Sequence, residues 1–485
     1  MAEERYVEDL ADKDDFSQWY LDVIRKAQLA DESPVRGCMI IRPYGYALWE
    51  NMQRLLDDRI KATGHQNAYF PLFIPESFLK KEAEHVEGFA PEVAWVTRGG
   101  GEELAEPLAI RPTSEAIIGY MYAKWVQSYR DLPLLYNQWA NVVRWEKRTR
   151  PFLRTSEFLW QEGHTAHRTE DEAETETLKI LIEVYQDFIE NELAIPVITG
   201  QKSDAERFAG ASRTYSLEAM MGDGKALQAG TSHNLGQNFA KGFGIQFQDI
   251  DGERKHAWTT SWGASTRLVG GVIMVHGDES GLQMPPRVAP IQVVIVPIWR
   301  KEPEREVVAE AVSGLEAQLR KAGVRLHTDW REETPGFKFN DWELRGVPLR
   351  LEVGPKDVQN HQAVLVRRDS RPRAKEMISQ DQIAERVQQL LVEMQQNLYQ
   401  RAVDFRKSRT YHADDFATLE RLMADREHLG FVEAWWCGDG ACEAEVKTKT
   451  QATIRNLPLA QPGGEGACVN CGRPAKRWAI FAKAY

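Results

Sequence analysis

Two proline groups packed into Met284-Pro285-Pro286-Arg287-Val288-Ala289-Pro290 set the strongest limit on how this chain can fold. Proline fixes φ, donates no backbone N–H and pushes the preceding residue toward extended backbone. Neither a helix nor a central strand can therefore run through the segment. The periodic pattern must stop there, and the segment reads as a linker. At 485 residues the chain is also too long for one core, and a prior of about 150 residues per domain gives roughly three. We expect units over residues 1–284, 285–404 and 405–485.

The pattern on either side agrees with that division. Before the break, Leu48, Met52, Leu55, Leu56 and Ile60 trace one apolar helix face over residues 47–62, with Gly64 as a stop. Ala68 to Ile74 reads as an edge strand, because Pro71 is tolerated only at edges or bulges. After the break, Ile291 to Val296 is a β-branched strand, followed by a helix through Val307, Val308, Ala311, Leu315 and Leu319. Strands at Val324 to Leu326, Leu349 to Val353 and Ala363 to Val366, with a helix bearing Trp342 and Leu344, predict a small mixed or parallel α/β unit. A long amphipathic helix carries Ile383, Val387, Leu390, Leu391, Met394 and Leu398. Beyond residue 405 the chain turns polar, then reaches Trp435-Trp436-Cys437 and a glycine-rich loop through Gly466.

The net charge of −11 argues against a protein that simply coats itself in nucleic acid but leaves room for a specific RNA partner met through a local basic patch, and Arg144, Lys147, Arg148, Arg150 and Arg154 cluster against the single acid Glu146. The cluster reads as an anion site or as a solvated hairpin. No apolar run approaches the roughly 20 residues needed to span a bilayer, and the acidic N-terminus is no signal peptide, so no membrane partner and a cytoplasmic location are expected.

Four of the five cysteines fall near the C-terminus, as the pairs Cys437/Cys442 and Cys468/Cys471. Two short-spaced pairs on turns suit a closed, structural four-thiolate zinc site; the alternative is four buried free thiols. Cys38 stands alone and reads as a small packed hydrophobe.

Three elements, in order, resemble the class II aminoacyl-tRNA synthetases. The helix and strand with Gly64 and Pro71 resemble motif 1, which in that class builds a dimer interface. Arg144-Trp145-Glu146 through Arg154-Thr155-Ser156-Glu157-Phe158 resembles motif 2, and Trp262-Gly263-Ala264-Ser265-Thr266-Arg267 resembles motif 3. The resemblance implies an α+β catalytic domain built on an antiparallel sheet, ATP as substrate, Mg2+, and a homodimer. It assigns ATP to Arg144, Glu146, Arg154, Thr155, Phe158, Gln228, Thr231 and Arg267, with Arg144 and Arg267 as the catalytic pair.

Further strings are similar to prolyl-tRNA synthetases: Arg111-Pro112-Thr113-Ser114-Glu115, Phe158-Leu159-Trp160-Gln161-Glu162-Gly163-His164 and Gly230-Thr231-Ser232-His233. The similarity runs through the α/β unit as an anticodon-binding domain and includes the cysteine quartet, which the archaeal and eukaryotic-like form carries. It implies that Thr113 and Glu115 bind the amine of proline and Arg144 its carboxylate. Trp160, Glu162, Phe208, His233 and Ser261 would surround the ring. Phe339, Glu343 and Arg350 would read the anticodon of tRNA(Pro), and a terminal tyrosine, here Tyr485, would return toward the catalytic domain. Glu162 as a buried structural carboxylate and Phe339 as core packing stay open. The chain has no spare editing domain between motifs 2 and 3, so it should not clear alanyl-tRNA in that way. A threonine-specific relative would need a catalytic-domain zinc held by a cysteine and two histidines, and Cys38 lies far upstream of motif 2. A synthetase-like binding protein would have lost Arg144, Glu146 or Arg267, and all are present.

Overall fold

The computed structural model describes residues 10–85, 93–370 and 373–485; the first nine residues of the acidic N-terminus lie outside them. Among the described residues an eleven-stranded sheet dominates. Across it run Thr410–His412, Phe431–Trp436, Arg477–Ala482, Thr453–Pro458, Val197–Gln201, Arg213–Met220, Ala226–Gly236, Trp258–Ser265, Glu157–His167, Leu134–Val143 and Gln66–Asn67. From Val197–Gln201 to Leu134–Val143 every neighbouring pair is antiparallel. Its inner face packs Leu217, Leu227 and Trp262 with Tyr185 of the helical segment Ile180–Gln186 and with Val269 and Ile273 of the helix Arg267–His276.

The expected helix spans Pro43–Ala62 and buries Leu48, Met52, Leu56 and Ile60, ending at Thr63 before Gly64. The strand expected over Ala68 to Ile74 does not form. Gln66–Asn67 pairs parallel with Tyr136 and Asn137, whereas Phe73–Pro75 pairs antiparallel with Leu108 to Ile110 in another sheet. Pro71, with no N–H to give a ladder, lies at the break between them.

The proline segment interrupts regular structure but is packed, not a loose linker. Met284, Val288 and Ala289 are buried in the first core, and Arg325 donates to the carbonyls of Pro286 and Ala289 at 2.9 Å each. An arginine satisfying orphan carbonyls lets a segment without secondary structure stay buried.

The α/β unit is mixed, in the order Leu326–Thr328, Val293–Pro297, Leu349–Val353, Gln362–Arg367, Lys375–Ser379, with the first three parallel and the rest antiparallel. Helices Glu302–Lys321 and Ile383–Ser408 cover one face through Val308, Leu315, Val387 and Leu390.

The C-terminal strands extend the first sheet. Leu457 and Pro458 pair with Gln201 and Gly200, and a Cβ on Gly200 would lie 2.4 Å from the Leu457 carbonyl oxygen. Only glycine permits that approach. No helix among the described residues is long and apolar enough to cross a membrane.

Candidate active site

The basic segment joins two antiparallel strands, Leu134–Val143 and Glu157–His167, whose ends meet at Val143 and Glu157. Arg144 N donates to Ser156 O at 2.8 Å, which closes the hairpin. Its side chain leaves the strand end beside the sheet: Nε donates to Pro112 O at 3.0 Å and the guanidinium stands 5.5 Å from the Phe158 ring and 5.2 Å from that of Trp160. It opens to the cleft on one side and is surrounded by protein on the others, and this loss of solvation lowers its pKa.

Arg267, the first residue of its helix, donates to Leu153 O at 3.1 Å and to Gln228 O at 3.5 Å. Burial, then the charges of Arg144 and Arg154, bring its pKa down to about 10. Arg154 itself has Glu146 at 3.9 Å. Guanidinium groups gathered against their own repulsion mark a place built for an anion. Thr155 does not present its hydroxyl there: the residue is buried and donates to Glu157 O at 2.7 Å, so it fixes the turn.

Beside this cationic wall lies a cavity of about 230 Å³. All eight residues expected to contact proline line it: Thr113, Glu115, Arg144, Trp160, Glu162, Phe208, His233 and Ser261, joined by Gln228 and Thr231. Their roles differ. Glu162 is fully engaged by the protein. It accepts from Ser114 Oγ at 2.5 Å, Ser114 N at 3.2 Å and Gln138 Nε2 at 2.7 Å, with His164 Nε2 at 3.1 Å. Burial would raise its pKa, but His164 and these donors overrule burial and lower it. Glu115, by contrast, takes a hydrogen bond from Thr113 Oγ1 and lines the cavity.

The walls are aromatic. Phe208 packs on His233 with ring centres 4.6 Å apart, and Thr214 Oγ1 holds His233 Nδ1 at 3.0 Å. Burial, then His164 and Arg144, push the His233 pKa down to about 3, so the imidazole is neutral and serves as a wall. Trp160 Nε1 and Ser261 Oγ are buried without a protein partner. The cavity thus offers a carboxylate backed by a hydroxyl, apolar rings and a cation at the mouth, which suits a small ring bearing a cationic amine and a carboxylate.

Sequence reasoning missed His164, Lys202, Glu206, Thr214, Trp262 and Gly263 as lining residues. His164 could have been found, since it sits two positions from Glu162 on one strand and shares its face. Thr214 could not, because it reaches the site through its cross-strand pairing with His233. Gly163 is needed beneath Trp262, whose ring atoms lie 2.1 to 2.2 Å from where a Cβ would stand.

Family models match three stretches: the tRNA synthetase class II core domain (G, H, P, S and T) over residues 95–276, an anticodon binding domain over 292–390, and the prolyl-tRNA synthetase C-terminal region over 420–485. The proline–tRNA ligase of Symbiobacterium thermophilum is 58% identical over 477 residues, 97% of each chain. That of Chloroflexus aggregans is 59% identical over 474 residues, 97% of this chain and 98% of the relative. The chain belongs to the proline–tRNA ligase family. The crystal structure of prolyl-tRNA synthetase from Cryptosporidium parvum complexed with halofuginone and AMPPNP superposes with a TM-score of 0.93. It is 43% identical and covers 98% of this chain and 99% of its own. The family's reaction, ATP-dependent activation of proline and its transfer to tRNA, is therefore the activity of this chain, a class II ligase.

On the α/β unit, Phe339 and Glu343 share the helix Pro335–Leu344 and Arg350 lies on the adjacent strand. The Arg350 guanidinium stacks 4.0 Å from the Phe339 ring centre and pairs with Glu352 at 2.9 Å, while Glu343 is held by Arg373 at 2.5 Å. Phe339 therefore packs under an arginine at a half-buried surface.

The sulfurs of Cys437, Cys442, Cys468 and Cys471 all lie within 4.8 Å of one another, with Cys471 and Cys437 at 3.9 Å. Four thiolates about 2.3 Å from a zinc ion sit about 3.8 Å apart, so the quartet fits a tetrahedral metal. Arg473 approaches Cys471 at 3.2 Å and favours its thiolate.

Proposed function

We propose that the cationic wall and the cavity act as one site for proline activation. The observation that carries the assignment is the position of Arg144, which shares one cavity with Glu115 and packs over Phe158 and Trp160. In this reading Thr113 and Glu115 hold the ring nitrogen, and Trp160, Phe208 and His233 enclose the ring. Ser261 supplies a polar contact at the wall, and Glu162 shapes the floor through Ser114 and Gln138. Arg144 binds the proline carboxylate against the α-phosphate of ATP. A carboxylate oxygen attacks the α-phosphorus, the bond to the β-phosphate breaks and pyrophosphate leaves, with developing charge met by Arg144 and Arg267. Arg154 meets the terminal phosphate, Phe158 and Arg267 cover the adenine faces, and Glu146, Gln228 and Thr231 fix the nucleoside; Thr155 contributes its backbone only. The 3′-terminal ribose hydroxyl of tRNA(Pro) then attacks the prolyl carbonyl and releases AMP.

Among the described residues, the cysteine quartet alone gathers three or more metal-binding side chains. Mg2+ in the active site would be held by the triphosphate together with one or two carboxylates, and would neutralise the leaving pyrophosphate. The quartet takes structural Zn2+ in this reading, and Phe339, Glu343 and Arg350 meet the anticodon. The units are 1–284, 285–404 and 405–485. A homodimer forms through the motif 1 region, which is supported by the exposed apolar residues Ile40, Tyr46, Tyr69 and Phe73. The location is the cytoplasm.

Amino-acid-dependent exchange of pyrophosphate into ATP, run in parallel with proline, cysteine, alanine and threonine, tests the site. Glu115→Gln should raise KM for proline far more than KM for ATP. Equal effects on both, or none, would remove Glu115 from the amine site.

A further inference from the structure

Phe208 and Glu206 reach the cavity from the segment between the strands Val197–Gln201 and Arg213–Met220. That segment has little regular structure. Its internal support is a short series of hydrogen bonds, such as Phe208 N to Thr214 Oγ1 at 3.0 Å and Ala211 N to Phe208 O at 3.0 Å. Two further anchors come from far along the chain, from the helix Gly440–Thr450 of the C-terminal unit. Ser203 Oγ donates to Glu443 Oε1 at 2.6 Å, with both residues buried, and Lys447 Nζ lies 3.2 Å from Glu206 Oε1. Glu443 and Lys447 are one helical turn apart and grip the segment at its start and at a cavity-lining residue.

We propose that Glu443 and Lys447 are positioning residues for proline recognition: from the C-terminal unit they hold the 203–211 segment so that Phe208 and Glu206 close the amino-acid pocket. The proposal rests on the pocket assignment above and extends it to residues that touch no substrate. A pocket distinguishing one small side chain from another has little binding energy to spare, so the setting of a wall matters more than its presence. The C-terminal unit then contributes to selectivity as well as to stability, although its helix lies outside the pocket.

The test uses the full-length protein and the variants Ser203→Ala, Glu443→Ala, Glu443→Gln, Lys447→Ala and, as a direct pocket lesion, Phe208→Ala. Losing one hydrogen bond to a buried carboxyl group should raise KM for proline about tenfold in Ser203→Ala and Glu443→Ala. KM for ATP should stay within about twofold, since the adenine side keeps its contacts. Preference for proline over alanine should fall alongside. Glu443→Gln, whose amide oxygen still accepts from Ser203, should recover most of the loss, and Lys447→Ala should show a smaller change because that pair is more exposed. Hydrogen exchange of residues 203–211 should quicken in the same variants while melting temperature and bound metal stay at wild-type values. A merely structural role would lower the active fraction and leave KM unmoved.

Wild-type proline KM and unchanged exchange in Ser203→Ala overturn the proposal, and this loop-side variant decides the matter should Glu443→Ala fail to fold. A raised KM in Phe208→Ala beside a normal Ser203→Ala removes the tether and keeps the pocket. Normal KM in both removes the pocket assignment with it.

Discussion

Replacing Glu218 by glutamine should loosen the seam between the C-terminal strands and the catalytic sheet. Glu218 is fully buried on Arg213–Met220, where Lys202 Nζ meets Oε1 at 2.9 Å, Arg455 Nε meets Oε2 at 3.0 Å and Ser216 Oγ donates at 2.9 Å. Lys202 also donates to Arg455 O at 2.6 Å. One carboxylate therefore serves two cations, one of them on the incoming strand Thr453–Pro458. Burial alone would raise the Glu218 pKa, but the two cations bring it down to about 2. For Lys202 burial, helped by the nearby Arg455 charge, outweighs the pull of Glu218 and Glu206 and lowers its pKa. Against an ordinary glutamate value of about 4.3, the Glu218 shift corresponds to about 3 kcal/mol favouring the ionised fold. Stripping one partner from a buried ion pair gives a similar figure of about 3–5 kcal/mol.

Glu218→Gln keeps the shape and removes the charge, so at pH 7 it should lower the urea midpoint of the transition carrying the C-terminal unit by about 1–2 M, for a slope of about 2 kcal/mol per M. The carboxylate's folded pKa is depressed, so its stabilisation is complete above about pH 4.3 and disappears as pH falls toward 2. Wild type should lose more stability than the variant across that window, the excess being the Glu218 contribution. Removing a cation as well, in Glu218→Gln with Lys202→Met, should restore part of the loss. A urea midpoint for Glu218→Gln within about 0.3 M of wild type at pH 7 would refute the reasoning, since it implies less than about 1 kcal/mol for a fully buried pair.

Deleting Lys483 to Tyr485 should reduce activation more than it reduces melting temperature. Tyr485 N donates to Ala226 O at 3.1 Å, its hydroxyl to Asp223 at 2.5 Å, and its ring lies 5.2 Å from the Arg150 guanidinium of the motif 2 loop; equal losses would make the tail merely structural. Cys468→Ser should abolish binding of one zinc per chain, measured by atomic absorption, and leave the C-terminal unit open to limited proteolysis; full zinc content in the variant would remove Cys468 from the ligand set.

The legible part of the fold was what side-chain periodicity and backbone chemistry carry locally. The Leu48 to Ile60 spacing fixed a helix face, and the β-branched run from Ile291 marked a central strand. Pro71 suggested an edge strand, but no strand runs through it: the segment is split between two sheets, and which sheets is decided by partners about 30 to 70 residues away. Lys375–Ser379 pairs with Gln362–Arg367 despite a polar sequence, because an edge strand needs little apolar surface. The union of the C-terminal strands with the catalytic sheet had no local signature, since backbone pairing between Gly200 and Pro458 leaves only a glycine as its trace. In the site, residue types named the chemistry, whereas the division of labour between Glu115 and Glu162 depends on Ser114, Gln138 and His164 meeting Glu162 in three dimensions.

The central assignment is that Arg144 holds the proline carboxylate against the α-phosphate. Proline-dependent pyrophosphate exchange by Arg144→Ala, measured beside its affinity for tRNA(Pro), tests it most directly. Exchange should be abolished and tRNA affinity retained, because the unit that matches an anticodon binding domain, residues 292–390, is separate from the Arg144 site. Exchange at near the wild-type rate would contradict it.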